Sequence, residues 1–237
     1  MELTEGVFRL GSPYVNFYAI EEGGRLTIVD GGASGYWDEI PRLLAATKLA
    51  ITDIAAVVLT HSHGDHTGCV ERLQAESGAD VFIHTAEEAV LTGREKQAAP
   101  SGAAGALLSL QGLKMIAHML TNGGMKSTTL STVETYTEDE VLDVPGKPRV
   151  VYTPGHSKGH SALFVEQRDA LFTGDALVTR DLRGRTGPRM MDINVDHAGA
   201  RRALDRFEGI EAALLLPGHG EPWRDGVAAA VERARRN

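Results

Sequence analysis

The chain has 237 residues, 42% of them hydrophobic, and a formal net charge of −8 at pH 7. Because phosphate groups are bound through clustered Lys and Arg, this balance disfavours a nucleic-acid or anionic-membrane partner. The single cysteine excludes an intramolecular disulfide, and the sequence shows neither a secretory signal nor a run of about 20 apolar residues. We therefore expect one domain over residues 1–237, located in the cytoplasm.

The first half of the chain alternates between predicted strands and predicted helices. Apolar and polar residues alternate through the first thirty positions, with Gly-rich breaks, which predicts short antiparallel strands. A helix is then predicted at 35–48 and a buried, β-branched strand at 54–60. The next predicted elements are a helix at 69–76, a strand at 80–84 and a helix at 86–97. This alternation is typical of an α/β fold.

Residues 94–132 form a predicted helical insertion in this pattern. The segment 103–120 is apolar on more than one face and has a helical composition. Such a helix either covers a substrate pocket as a lid or buries a homodimer interface. As a lid, the helix would cover a pocket for a small-molecule substrate. The predicted pocket residues are Met115, His118 and Met119 of the insertion and Met190 of a later loop.

Predicted strands return after the insertion. They lie at 133–136, 141–144, 149–153, 161–166 and 170–173. A helix at 197–208, a strand at 212–216 and a helix at 225–235 end the pattern. A second β-rich half is therefore expected.

Residues 60–66 read THSHGDH, which places three histidines and one aspartate within six positions. The run directly follows the predicted buried strand at 54–60. Imidazole and carboxylate groups at this spacing are typical metal ligands. The pattern therefore predicts a metal site rather than a polar surface loop.

Three later segments place further ligand types just past predicted strands. They are TPGHSKGH with His156, FTGDAL with Asp175 and LPGHGEPW with His219. Loops that leave rigid strands can direct several side chains to one point. With the first motif they supply five imidazoles and two carboxylates, enough for two divalent metals with positions open to water. The seven predicted ligands are His61, His63, Asp65, His66, His156, Asp175 and His219.

The order of these motifs resembles that of the metallo-β-lactamase superfamily over nearly the whole chain. The resemblance implies a four-layer αβ/βα sandwich, in which two mixed β-sheets flanked by helices hold a dinuclear metal site between them. It implies one metal on His61, His63 and His156, and a second on Asp65, His66 and His219. Asp175 would bridge the two. Behind the ligands, Asp30 of VDGG would orient ligand loops or imidazole tautomers, and His160 would support the His156 loop.

With a carboxylate at position 175, the sequence resembles the glyoxalase II-like and lactonase-like branch of this superfamily. The β-lactam-hydrolysing members typically have a thiol there or no bridging ligand, and the acidic charge disfavours a nuclease. The expected function is hydrolysis of an ester, thioester or lactone by a hydroxide held between two divalent ions. Zinc is expected, with iron or manganese as alternatives. Asp65 would be catalytic, accepting a hydrogen bond from the hydroxide and directing its attack.

An iron-dependent sulfur or persulfide dioxygenase is the alternative from a different class. Such an enzyme shares the HxHxDH pattern but holds a single iron on two histidines and one aspartate. The complete set of seven ligand types in this sequence favours the hydrolase over it.

Overall fold

Two mixed sheets and a two-stranded ribbon form the β framework of the computed structural model, which describes residues 1–99, 101 and 109–237. The first sheet has seven strands in chain order: β1 (Glu2–Thr4), β2 (Val7–Ser12), β3 (Val15–Glu22), β4 (Arg25–Val29), β5 (Ile54–Val58), β6 (Asp80–His84) and β7 (Glu134–Tyr136).

Antiparallel and parallel pairing meet within this first sheet. Strands β1 to β4 pair as an antiparallel meander, whereas β4 to β7 pair in parallel. The β3–β4 hairpin closes between the paired residues Glu22 and Arg25. Gly23 and Gly24 both have positive φ, which a two-residue turn of matching twist requires. The parallel half brings the carboxyl ends of β4, β5 and β6 to one edge, where ligand loops can start.

The second sheet is also mixed and has the strand order β13, β10, β9, β8. Its strands are β8 (Arg149–Tyr152), β9 (Ser161–Val165), β10 (Ala170–Gly174) and β13 (Leu214–Pro217), and the ribbon is β11 (Val178–Arg180) with β12 (Thr186–Arg189). Strand β10 pairs in parallel with β13 and antiparallel with β9. The parallel pair places the ends of β10 and β13 at the same edge.

Seven α-helices accompany the sheets in the described part of the chain. They are α1 (Glu39–Thr47), α2 (Gly64–Thr67), α3 (Val70–Ser77), α4 (Thr85–Leu91), α5 (Leu110–Thr121), α6 (His197–Ala203) and α7 (Val227–Arg236). Of these, α1, α3 and α7 pack on the outer faces of the sheets. Among the described residues, no helix is both long and apolar enough to cross a bilayer.

Three apolar core clusters separate four layers. One packs Ile40 of α1 and Leu73 of α3 against the first sheet, and another packs Val231 of α7 against the second sheet. The third joins the two sheets, as where Tyr18 meets Phe172 edge to face at 5.3 Å. The predicted four-layer sandwich of two mixed sheets flanked by helices is therefore confirmed.

Two predicted elements differ from the structure. The strand predicted at 141–144 is reduced to one isolated bridge between Val141 and Arg149. Pro145 and Pro148 flank this turn and lack the N–H groups that a ladder needs. The helix predicted at 86–97 ends at Leu91, because the chain turns at Gly93 with a φ of 73°.

Within the described residues, the insertion helix lies where the sequence predicted it, over Leu110–Thr121. It begins at Leu110, where the Ser109 side chain caps it by accepting from the Gly112 N–H at 2.9 Å. The first part of the predicted helix, residues 103–108, lies outside the described residues.

A buried tyrosine provides a stability test of the layer between the sheets. Tyr136 is fully buried, and its hydroxyl donates to the Leu59 carbonyl at 2.6 Å, just before the THSHGDH motif. Tyr136→Phe leaves that buried carbonyl without this donor and should lower the free energy of unfolding by about 1–3 kcal/mol in urea denaturation.

The matched control is Tyr152→Phe, whose hydroxyl donates to the Lys158 carbonyl at the surface. Water can replace that bond, so a change below about 0.5 kcal/mol is expected. Equal losses in both variants would contradict the role given to the buried bond.

Candidate functional site

Loops that follow four strands meet between the two sheets. The loop after β5 carries His61 and His63 and continues into the short helix α2. The loop after β8 carries His156, and Asp175 and His219 follow β10 and β13. Their position at strand ends explains how residues far apart in sequence reach one point.

Three histidines form the first cluster of possible metal ligands. Nδ1 of His63 lies 2.9 Å from Nε2 of His61 and 2.9 Å from Nε2 of His156. The three nitrogens lie within 4.8 Å of one another, so a single cation could contact all of them. The structure therefore brings together the residues predicted for the first metal.

A second cluster contains Asp65, His66 and His219, again with ligand atoms within 4.8 Å of one another. Oδ2 of Asp65 lies 3.5 Å from Nε2 of His219 and 3.8 Å from Nε2 of His66. The residues predicted for the second metal thus also converge.

Asp175 lies between the two clusters. Its Oδ2 is 3.1 Å from Nε2 of His219 and 3.3 Å from Nε2 of His156, while its Oδ1 is 3.4 Å from Nε2 of His66. One carboxylate therefore faces ligand atoms of both clusters, as the predicted bridging position requires.

Burial sets the protonation of the first cluster. It lowers the pKa of His63 and of His156 to about 4, and neighbouring imidazoles add to the effect at His156. The pKa of His61 lies well below its usual value for the same reasons, burial and then His66. At neutral pH these rings are uncharged and keep the lone pairs that bind metal ions.

Carboxylates dominate the second cluster. Burial alone would lower the pKa of His66 and of His219, but the nearby carboxylates, Asp175 first, raise both above the usual value. Burial would raise the pKa of Asp175, yet His219 and His66 hold it well below the usual range. This cluster therefore concentrates negative charge around imidazoles.

The residues fit divalent metal ions by a test on the structure itself. Nε2 of His66 and Oδ1 of Asp175 are buried and have no hydrogen-bond partner among the described residues. Buried polar atoms are nearly always satisfied, so such orphan ligand atoms indicate a further partner. A donor set of imidazoles and carboxylates suits zinc, iron or manganese better than calcium or magnesium.

Asp30 supports the clusters from behind. Its Oδ2 lies 2.8 Å from Nδ1 of His66, and its Oδ1 accepts from the Thr60 backbone N–H at 2.8 Å. The threonine hydroxyl in turn lies 3.0 Å from Nδ1 of His61. Asp30 also adopts an uncommon positive φ of 62° for a non-glycine residue. The structure thus places this carboxylate where it orients two rings.

The outer ring nitrogens of His156 and His219 bond to backbone carbonyls. Nδ1 of His156 lies 2.8 Å from the Ile193 carbonyl, and Nδ1 of His219 bonds to the Tyr14 carbonyl. These bonds leave Nε2 of each ring directed at the clusters.

His160 lies behind the ligands rather than among them. Its Nε2 accepts from the Asp175 backbone N–H at 2.9 Å, and its Nδ1 lies 2.9 Å from the Thr153 hydroxyl. One ring nitrogen therefore holds the backbone at Asp175, and the other holds the start of the loop that carries His156.

Sequence reasoning missed two supports of the ligand loops. On β3, the side chain of Asn16 donates to the Pro217 and Gly220 carbonyls at 2.9 and 2.7 Å, which holds the loop of His219. On α4, Glu87 is only 2% exposed and accepts bonds from two other ligand loops. A polar residue in a strongly apolar strand was the available signal for Asn16, whereas Glu87 resembled an ordinary helix-surface glutamate.

A cavity of about 470 Å³ opens beside the clusters. Asp65 reaches it, and Met115 and Met119 of α5 line it, as the lid interpretation expected. Its apolar lining includes Met115, Ile116, Met119, Leu182, Met191 and Ile193.

Two residues predicted for the pocket lie elsewhere. His118 stacks on the Tyr14 ring at 4.6 Å and bonds to the Tyr36 hydroxyl, because it lies on a different side of α5 from the two methionines. Met190 packs against the core of the second sheet, and its neighbour Met191 lines the cavity instead. Adjacent residues of an extended chain face opposite sides.

The outer face of α5 is apolar as well. Leu110, Leu113 and Leu120 are 67%, 54% and 65% exposed. The helix therefore covers the cavity on one side and leaves leucines at the surface on the other. A homodimer through this helix stays a prediction.

Comparison with known proteins agrees with this geometry. The sequence pattern described as the metallo-beta-lactamase superfamily matches residues 10–219. A probable metallo-hydrolase of Bacillus subtilis, YflN, is 28% identical over 185 residues, which cover 71% of this chain and 65% of that relative, slightly under two thirds of its length. An atrochrysone carboxyl ACP thioesterase of Aspergillus fumigatus is 24% identical over 93% of this chain and 56% of its own length.

A solved structure shows the same architecture. The metallo-beta-lactamase family protein TTHA1429 from Thermus thermophilus superposes with a TM-score of 0.70 and 26% identity, covering 99% of this chain and 80% of that one. Because the family pattern spans most of the chain and includes every predicted ligand, this protein belongs to the metallo-β-lactamase superfamily.

Proposed function

We propose that this protein is a hydrolase that holds two divalent metal ions, zinc above all, and cleaves an ester, thioester or lactone. The observation that carries the proposal is the pair of ligand clusters on either side of Asp175, which open into the 470 Å³ cavity. Membership of a superfamily with metallo-hydrolase relatives supports a hydrolytic enzyme.

Metal ions bound at such clusters lower the pKa of water and polarise a carbonyl group. The chain's own residues would then orient the reaction. His61, His63 and His156 hold one side of the centre with neutral rings, and the Asp30 carboxylate holds His66 on the other side. Asp65 reaches the cavity and would accept the proton of the attacking water at its carboxylate.

The choice among ester, thioester and lactone rests on the site and one relative. A relative named as a thioesterase supports acyl transfer to water. No cysteine occurs at the bridging position, where Asp175 stands, which supports the glyoxalase II-like and lactonase-like interpretation over β-lactam hydrolysis. Cytoplasmic location and a small-molecule substrate stay predictions.

Metal content and turnover, measured together, test the proposal. Elemental analysis of the full chain, purified without added metal, should find about two zinc, iron or manganese ions per chain. A panel of thioesters, aryl esters and lactones should contain at least one substrate. Activity should disappear after chelation and return with zinc.

A different result would favour the dioxygenase. One iron per chain, with oxygen consumed on a persulfide and no hydrolysis of any panel compound, would exclude the hydrolase proposal.

A substitution at Asp65 tests its proposed role. Asp65→Asn removes both a ligand of the second cluster and the proton acceptor, so kcat/KM should fall by about 100-fold or more. Metal content should fall toward one ion per chain. The matched control is Asp143→Asn on an exposed loop, which should keep wild-type metal content and rate. Unchanged metal content together with unchanged rate in Asp65→Asn would contradict the assignment.

A further inference from the structure

The cavity beside the metal ligands differs in character from the ligand clusters. Most of its wall surface is apolar, with Met115 and Met119 of α5 and Met191 and Ile193 of the segment after β12 among the side chains that form it. A wall of this kind stabilises a hydrocarbon or aromatic group by removing its surface from water.

The described lining contains no lysine and no arginine. Its ionisable side chains are the predicted ligands themselves: His63, Asp65, His156, Asp175 and His219. Pro100 and the segment 102–108, outside the described residues, contain only Gly, Ala, Leu and Pro. The sequence of that stretch contains no cationic side chain.

The arginines of the β11–β12 ribbon are paired with other groups. Arg185 bonds to Asp181 at 2.5 Å and to Asp192 at 2.7 Å, and Arg189 lies 3.4 Å from Asp181. Arg180 lies over the Tyr14 ring at 4.7 Å. None of these arginines is among the described residues that line the cavity, so a carboxylate, phosphate or sulfonate placed there would meet no cationic side chain of that lining.

We propose that the site selects substrates whose group in the cavity is apolar and uncharged, and that it rejects the same group when it carries an anion. The proposal rests on the proposed hydrolase function. Hydrolysis would add the oxygen of one water to the acyl carbon, break the acyl C–O or C–S bond and leave a proton on the released alcohol or thiol.

The methionines predict how selectivity depends on chain length. Their unbranched side chains adapt to ligands of different shape, so no single chain length should be required. Burial of each added methylene should improve affinity about three- to fourfold until the cavity is filled.

Turnover and binding series together test this inference. The metal-loaded full chain would be assayed with phenyl esters and thioesters of butyric, hexanoic and octanoic acid, and with hexanoyl analogues that end in a sulfonate. Uncleavable methyl ketones of the same chains would be titrated by calorimetry. For the uncharged compounds, kcat/KM and binding affinity should increase with chain length. For the sulfonated compounds, both should be at least about tenfold lower than for their uncharged counterparts.

A charge introduced into the wall provides a matched pair of variants. Ile116→Lys places an ammonium at a half-buried position of the lining. It should reduce the difference in turnover and affinity between uncharged and sulfonated compounds. Leu113→Lys makes the same change on the exposed side of α5 and should leave that difference in turnover and affinity unchanged.

The two proposals fail differently. Sulfonated compounds that are cleaved or bound as well as the uncharged ones would overturn the selectivity while leaving hydrolysis intact. An absence of cleavage across the panel would overturn the hydrolase function, and the ketone titrations would still decide the selectivity.

A second inference comes from Glu87, which uses both carboxylate oxygens to join two ligand loops. Oε2 accepts from the Ser62 N–H at 3.2 Å and from the Ser62 hydroxyl, and Oε1 accepts from the Gly159 N–H at 2.7 Å. Ser62 lies between His61 and His63, and Gly159 lies three residues after His156. One buried side chain thus connects the loops that carry the whole first cluster.

The contact with Gly159 leaves no room for a side chain. A Cβ there would lie 2.7 Å from Cγ of Glu87 and 3.0 Å from Nδ1 of His84. We infer that Glu87 is a positioning residue for the first metal, because it sets the distance between its two ligand loops.

The rate of metal release to a chelator tests this inference without an activity assay. Glu87→Gln replaces one acceptor oxygen with a donor, so metal transfer from the folded protein to a chelator should be about 10- to 100-fold faster. Glu88→Gln, at a half-buried neighbour paired with Arg94, is the control and should release metal as the wild type does. A variant that melts at a lower temperature yet releases metal from its folded state at the wild-type rate would show a merely structural role.

Discussion

The structure depends on the burial of many imidazoles and carboxylates at one point between two sheets. Bringing such groups out of water is unfavourable unless each one has a partner. The fold supplies these partners to the outer ring nitrogens: Asp30 to His66, and the Ile193 and Tyr14 carbonyls to His156 and His219. The inner atoms point at one another, and two of them have no partner among the described residues. These atoms are therefore arranged to bind cations rather than to satisfy one another by hydrogen bonds.

Sheet topology makes this convergence possible. Parallel pairing brings the ends of neighbouring strands to the same edge, in the first sheet after β5 and in the second after β10 and β13. The core between the sheets holds both edges together, and Asn16 reaches from β3 to the loop of His219. A side chain in one sheet thus holds a ligand loop of the other, which couples the geometry of the ligand clusters to the packing between the two sheets.

The cavity and the clusters divide the chemistry between them. Among the described lining residues, ionisable side chains are confined to the predicted ligands, whereas α5 and the segment after β12 contribute apolar side chains to the cavity wall. Arg185 of the ribbon forms ion pairs with Asp181 and Asp192 and so offers no free charge to a ligand. The ligand clusters would supply the reactivity, and the cavity wall would select the substrate. Substitutions in that wall could change the selectivity without altering the ligands.

The sequence by itself determined most of the strands and helices and the seven ligand types, because hydrophobic periodicity and short motifs are local properties, while the layers followed only from the family resemblance. Only the tertiary structure decided which neighbours face the cavity. Met191 rather than Met190 lines it, and His118 turns to Tyr14 and Tyr36, because one step along a strand or helix changes the face. The role of Glu87 was likewise hidden, since its two partners lie 25 and 72 residues away in sequence.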